Sequence, residues 1–190
     1  MEMENQTTLL ALRNFFLARS GKDLAAACAT LANNEVTTPD PTDFDDGYWE
    51  EAEFAFNRLF VGPTALQAPP YASYYLEPEQ QLMGKSTLKV RRLYEMAGLV
   101  SSLQGFLPDD HLGVELDAAL GLLTLAERFD VEEPRALWRY FLHEHLESWV
   151  PCFLDQARNA KAGHPAVDLA LDRLETWLGD ERTKVEGYDQ

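Results

Sequence analysis

Apolar residues recur along this chain three and four positions apart, the spacing that gathers them on one face of an α-helix. Leu9, Leu12 and Phe16, with Leu10 and Leu17 beside them, predict a first amphipathic helix. Ser20-Gly21-Lys22-Asp23 reads as a capping box opening a second helix, which carries Leu24, Ala27, Cys28 and Leu31. From Asn33 to Pro41 the chain turns polar and includes two prolines, which predicts a loop. Asp45 or Asp46 then offers an N-cap, with Glu50, Glu51 and Glu53 near the positive end of a third helix. That helix would bury Trp49, Ala52, Phe56, Leu59 and Phe60 and stop at Gly62-Pro63, where glycine tolerates a left-handed cap and proline cannot continue the ladder.

Thr64 to Met83 holds Pro69, Pro70 and Pro78 around Tyr71, Tyr74 and Tyr75, so no regular helix is expected there. It is long for a loop without a role. Ser86 is expected to cap a helix through Ala97 that Gly98 ends, and Pro108-Asp109-Asp110 to start the most apolar helix, running to about Phe129. In it Leu112, Leu116, Leu120 and Leu123 form one stripe, while Gly113, Asp117, Gly121 and Thr124 leave only a narrow small or polar strip. A helix apolar on most sides belongs at the centre of a core. Pro134 suits a first turn, and Leu137, Phe141, Leu142, Leu146, Trp149, Phe153 and Leu154 continue at helical spacing, with Pro151 expected to kink or split that segment. A last helix follows Gly163-His164-Pro165 and buries Val167, Leu171, Leu174 and Leu178. No stretch alternates with the period of a strand. The pattern predicts an all-α, single-domain helical bundle over residues 1–190, with the helix at about 110–129 central.

Composition narrows the function. Sixteen basic against thirty-two acidic residues give a formal charge of −16, which repels phosphate backbones and anionic head groups. Nucleic acid is therefore not an expected partner. No apolar run approaches the ~20 residues of a membrane span, and Met1-Glu2-Met3-Glu4-Asn5 lacks the basic end of a signal peptide, so a cytoplasmic location is expected. The two cysteines, Cys28 and Cys152, lie in apolar helical patterns without CxxC spacing and are expected to be buried and inert.

Catalytic constellations are sparse. Gly84-Lys85-Ser86-Thr87 has the tail of a phosphate-binding P-loop, but Glu79 stands where its first glycine belongs and no strand precedes it. His111 and Glu115 share a helical face at i and i+4 and could ligate a metal or shuttle a proton, which defines one reading, a small helical metal-dependent enzyme. Nothing nearby completes a ligand set: His143 and His145 point to different faces, and His164 sits in another loop. Asp109 or Asp110 as N-cap, with His111 in the first turn, is the structural alternative. There is no Gly-x-Ser-x-Gly elbow. Tyr71, Tyr74 and Tyr75 suit a peptide groove, or plain core packing, better than base stacking, because no basic lining accompanies them.

Three segments together resemble the TorD/DmsD family of molybdoenzyme maturation chaperones, also called redox enzyme maturation proteins. Phe56-Asn57-Arg58-Leu59-Phe60-Val61-Gly62-Pro63, leading into Pro69-Pro70-Tyr71-Ala72-Ser73-Tyr74-Tyr75-Leu76, is similar to the family's Leu-Phe-x-Gly-Pro helix end and Pro-aromatic-x-Ser-x-Tyr loop. Pro108-Asp109-Asp110-His111-Leu112 with Glu115-Leu116 resembles its Pro-Asp-His-x-x-x-Glu signature, with one extra aspartate. His145-Leu146-Glu147-Ser148-Trp149-Val150-Pro151-Cys152-Phe153 is like its His-Leu-x-x-Trp-x-Pro-x-Phe helix.

The resemblance implies a TorD-like domain that is no enzyme and holds no cofactor. It would bind a molybdopterin oxidoreductase subunit and its twin-arginine leader peptide, assist cofactor insertion and delay export. Implied leader-binding residues are Asp110, His111, Glu115, Tyr71, Ser73 and Tyr75, with Asp109 beside them. A homodimer is compatible with it. A third reading is a helical adaptor for an unrelated partner.

Overall fold

The computed structural model describes residues 2–32, 44–63, 65–100, 103, 105–129, 132–160 and 163–188. The loop expected from Asn33 to Pro41 lies outside these residues. Nine α-helices are formed among the described residues: α1 (Glu2–Phe16), α2 (Gly21–Ala32), α3 (Asp46–Phe56), α4 (Ala72–Leu76), α5 (Lys85–Met96), α6 (Leu112–Phe129), α7 (Glu132–Tyr140), α8 (Glu147–Asn159) and α9 (Pro165–Tyr188). Tyr71 and His111 form an isolated antiparallel bridge. The architecture is all-α, as the periodicity predicts, and no described helix is long and apolar enough to cross a membrane.

Internal contacts group the helices into two compact units, residues 1–69 with 153–177, and 70–152 with 178–190. The chain passes from one unit to the other in the loop at Pro69–Pro70 and inside α8 and α9. In the first unit Leu9, Leu12, Phe15 and Phe16 of α1 pack with Leu24, Ala27, Cys28 and Leu31 of α2, all buried. Phe16, Phe56, Phe60 and Phe153 meet with ring centroids 5.2 to 5.8 Å apart. Mostly edge-to-face pairs of this kind contribute about 0.5–1.5 kcal/mol each beyond the area they bury. The predicted capping box forms: the Asp23 amide donates to Ser20 Oγ, and the Ser20 hydroxyl and the Arg19 amide both donate to Asp23 Oδ2. Asp45 Oδ1 accepts from the Tyr48 amide at 3.0 Å and caps α3. Beyond Phe56 that helix widens to π geometry over Asn57–Val61 and ends at Gly62, whose φ of 105° requires glycine.

In the second unit α6 buries Leu112, Val114, Leu116, Ala119 and Leu122. Several local expectations differ. The proline-rich segment forms one helical turn, α4, and a 3-10 turn at Pro78–Gln80, because its prolines lie outside residues 72–76. Ser86 does not cap α5. Glu77 does, its Oε1 accepting from both the Ser86 amide at 2.6 Å and the Ser86 hydroxyl at 2.8 Å. A carboxylate thus fills the helix N-terminus where a P-loop would hold phosphate. Pro151 is carried inside α8, and the irregularity lies upstream, in a π-helical stretch over Phe141–Leu146. Burial also separates the two cysteines: Cys28 is buried, its thiol pushed up to about 12 by desolvation, whereas Cys152 is exposed on α8 next to Pro151. The expectation that both are buried is wrong for Cys152, because the apolar run it sits in covers only one face of that helix.

Candidate functional site

All seven residues singled out from the sequence lie in the second unit. Two backbone bonds sew their segments together: the Ala72 amide donates to the Asp110 carbonyl at 2.9 Å, and the Leu112 amide to the Pro70 carbonyl at 2.8 Å. This pairing sets the Tyr71 ring edge-on to the His111 ring at 5.1 Å. Tyr71 precedes α4 but has no side chain that can cap it. Asp110 supplies the acceptor from 37 residues away, its Oδ2 receiving the Ser73 amide at 2.8 Å. Ser73 Oγ in turn accepts from the Met83 amide at 3.2 Å.

The aspartates are therefore not the N-cap of α6. That place belongs to His111, which precedes the first helical residue and accepts the Gly113 amide on Nδ1 at 3.1 Å. Burial lowers the His111 pKa to about 4, with the Asp110 charge opposing the shift, so the ring is neutral and Nε2 carries its proton. Asp109 holds Arg91, whose Nε lies 2.6 Å from Oδ2, and its carbonyl accepts the Tyr94 hydroxyl at 3.0 Å.

Glu115 and His111 share a helical face but do not act as a pair. Both Glu115 oxygens are engaged from the third motif: Oε1 meets His145 Nε2 at 2.6 Å and Oε2 accepts Trp149 Nε1 at 3.1 Å. Burial raises the Glu115 pKa, and His145 and Trp149 oppose that shift. Trp149 stacks on Tyr75 at 5.7 Å, and His145 on Phe141 at 5.4 Å, which links all three motif segments of this unit. His145, Trp149, Arg91 and Tyr94 were not among the expected site residues. For the first two a signal existed, since at i and i+4 they present a donor pair to one partner.

The site is more enclosed than the resemblance implies. Asp110, Glu115 and Ser73 are fully buried, and Asp109 and His111 nearly so, leaving Tyr71 and Tyr75 as its half-exposed members. One polar atom stands out: Asp110 Oδ1 is buried without a hydrogen-bond partner among the described residues. No three His, Cys, Asp or Glu side chains among them converge as metal ligands.

A protein-family model described as the nitrate reductase delta subunit matches residues 18–155, most of the chain, and the chain belongs to that family. Relatives include a Tat proofreading chaperone DmsD from Salmonella typhi, 38% identical over 58% of this chain and 50% of its own length. Others are named chaperone protein TorD, one from Psychrobacter at 27% identity over 85% of this chain and 72% of the relative. A second, from Aliivibrio salmonicida, is 33% identical over 52% of this chain and 47% of its own length. The chain spans about half the length of the Salmonella relatives it matches.

Proposed function

We propose that the chain is a maturation chaperone without catalytic activity of its own. It binds the catalytic subunit of a molybdopterin oxidoreductase in its apo form, together with that subunit's twin-arginine leader, in the cytoplasm before export. Holding the subunit there assists cofactor insertion and delays translocation. Its 190 residues act as one TorD-like helical domain. The names of the relatives and the matched family support this reading.

One structural observation carries the leader-binding part. Where the Tyr71 and His111 segments pair, Asp110 spends one carboxylate oxygen on the Ser73 amide and leaves the other unpaired in a buried setting. A leaving-open of this kind costs free energy unless a donor arrives. An incoming guanidinium would supply a charge-assisted bond, and the half-exposed Tyr71 and Tyr75 rings would flank the apolar stretch behind it. Since Asp110 is closed to solvent, arginine enters only as the Tyr71 segment lifts. Asp109, His111, Ser73 and Glu115 hold that segment's two sides in place.

Titration calorimetry with a synthetic peptide, an arginine pair followed by an apolar stretch, tests this. Asp110→Asn keeps an acceptor for the Ser73 amide but removes the charge, so affinity should fall by about tenfold or more with little change in folding. Unchanged affinity would remove Asp110 from the site.

A further inference from the structure

Asp109 and Asp110 are neighbours in sequence, and their carboxylates are turned to different partners. Asp110 reaches toward α4 and the Ser73 amide, whereas Asp109 reaches toward α5 and Arg91. Negative charge gathers around them: burial first, then the charges of Glu115, Asp109, Asp110 and Asp117, hold the Tyr94 hydroxyl well above its ordinary pKa.

The cation that answers Asp109 is loosely seated. Arg91 donates from Nε to Oδ2 at 2.6 Å, a bond to one oxygen rather than the two-pronged fork that makes arginine–carboxylate pairs strong. Its side chain is 43% exposed and that of Asp109 only 6%, so the guanidinium reaches the carboxylate from the surface. Asp109 is itself fixed, its carbonyl taking the Tyr94 hydroxyl at 3.0 Å. A second guanidinium can enter such a site by exchange, without ever leaving the buried charge unpaired.

We propose that Arg91 is a resident stand-in for the client: its guanidinium occupies Asp109 at rest and is displaced by one arginine of the pair, while the other arginine takes Asp110. This rests on the reading above that Asp110 accepts a leader arginine. Consecutive side chains of an extended peptide diverge to opposite sides, as these two carboxylates do. The exchange also filters ligands. A segment with one arginine satisfies Asp110 and leaves Arg91 seated, whereas a pair reaches both carboxylates. Being tethered, Arg91 competes at an effective concentration on the order of millimolar, so it lowers affinity for the pair and leaves that for a single arginine nearly untouched.

Titration calorimetry of the full chain with two peptides, Arg-Arg and Arg-Gln each followed by the same apolar stretch, tests the exchange. Arg91→Met removes the competitor and should tighten the Arg-Arg peptide by about tenfold while moving Arg-Gln far less. Asp109→Asn removes the subsite and should weaken Arg-Arg to the level of Arg-Gln. A merely structural ion pair would move affinity the same way in both variants, since each breaks the same bond, and that outcome overturns the proposal. Circular dichroism verifies folding. The wild type supplies an arm that needs no substitution: the NMR signal of the Arg91 Nε–H group should shift when Arg-Arg binds and stay in place when Arg-Gln binds. A signal unmoved in an Arg-Arg complex that Asp110→Asn still weakens overturns the exchange and leaves the Asp110 reading standing. An Arg-Arg peptide that does not bind overturns both.

Discussion

At the scale of single residues, burial decides what His111 and Glu115 do. His111 is neutral in the folded chain, with a pKa of about 4 against an ordinary value of 6.5. Unfolded chains bind that proton more readily, so the native state gains stability above pH ~6.5 and loses it as pH falls toward ~4, by about 3 kcal/mol for the full shift. Urea unfolding at pH 7 and pH 4.5 should register the loss, and His111→Asn, which keeps a capping acceptor without a titrating ring, should lose less between the same two conditions. Glu115 presents a different vulnerability. Its removal strands two buried donors, His145 Nε2 and Trp149 Nε1, so Glu115→Ala should cost about 3 kcal/mol or more in the urea midpoint, while Glu115→Gln keeps an acceptor and should cost less.

At the scale of elements, close approach and caps set the tolerances. A Cβ on Gly21 would sit 2.6 Å from the Trp49 carbonyl oxygen, a backbone atom that cannot step aside, and the Gly21 amide also holds Glu53 at 2.6 Å. A Cβ on Gly84 would meet the Glu77 side chain at the same distance, but that chain can swing away and forfeit only its cap on Ser86. Gly21→Ala should therefore destabilise by about 2 kcal/mol and Gly84→Ala by about 1, an order that thermal melts will report. Helix spacing made the elements themselves legible: the capping box at Ser20, the cap at Asp45 and the stop at Gly62 stand where the local pattern puts them. The caps of α5 and α6 do not. Ser86 and Asp110 are each drawn into a bond with a residue remote in sequence, Glu77 and Ser73, and no local rule ranks a serine cap below a distant carboxylate. The candidate site was legible as motif segments, yet its closure was not, because the partners of Glu115 lie 30 and 34 positions away. Cys152 is exposed against expectation for the reason that governs any amphipathic helix: a neighbour of buried residues can sit on the other face.

For the whole molecule, charge is the dominant property. A charge of −16 favours the approach of a cationic peptide such as the proposed leader, an effect expressed in association rate more than in final affinity. Stopped-flow binding of the arginine-pair peptide should slow several-fold between low and physiological salt, with a smaller change in dissociation. A rate indifferent to salt would assign recognition to the apolar stretch alone. Division into two compact units has a bearing on unfolding. Because the boundary runs through α8 and α9, neither unit corresponds to a contiguous piece of chain, and excision at residue 69 or 152 would leave each without part of a helix.

The contrast between the two thiols has a practical side. Cys28 is sealed in the core and holds its proton to about 12, so alkylating reagents at neutral pH find Cys152 alone. The unmodified sequence therefore carries one addressable position for a fluorophore, beside Pro151 and one turn of helix from Trp149, whose indole is bonded to Glu115. Emission from such a dye tests, without any engineered residue, whether the proposed lifting of the Tyr71 segment reaches the Tyr75 and Trp149 stack.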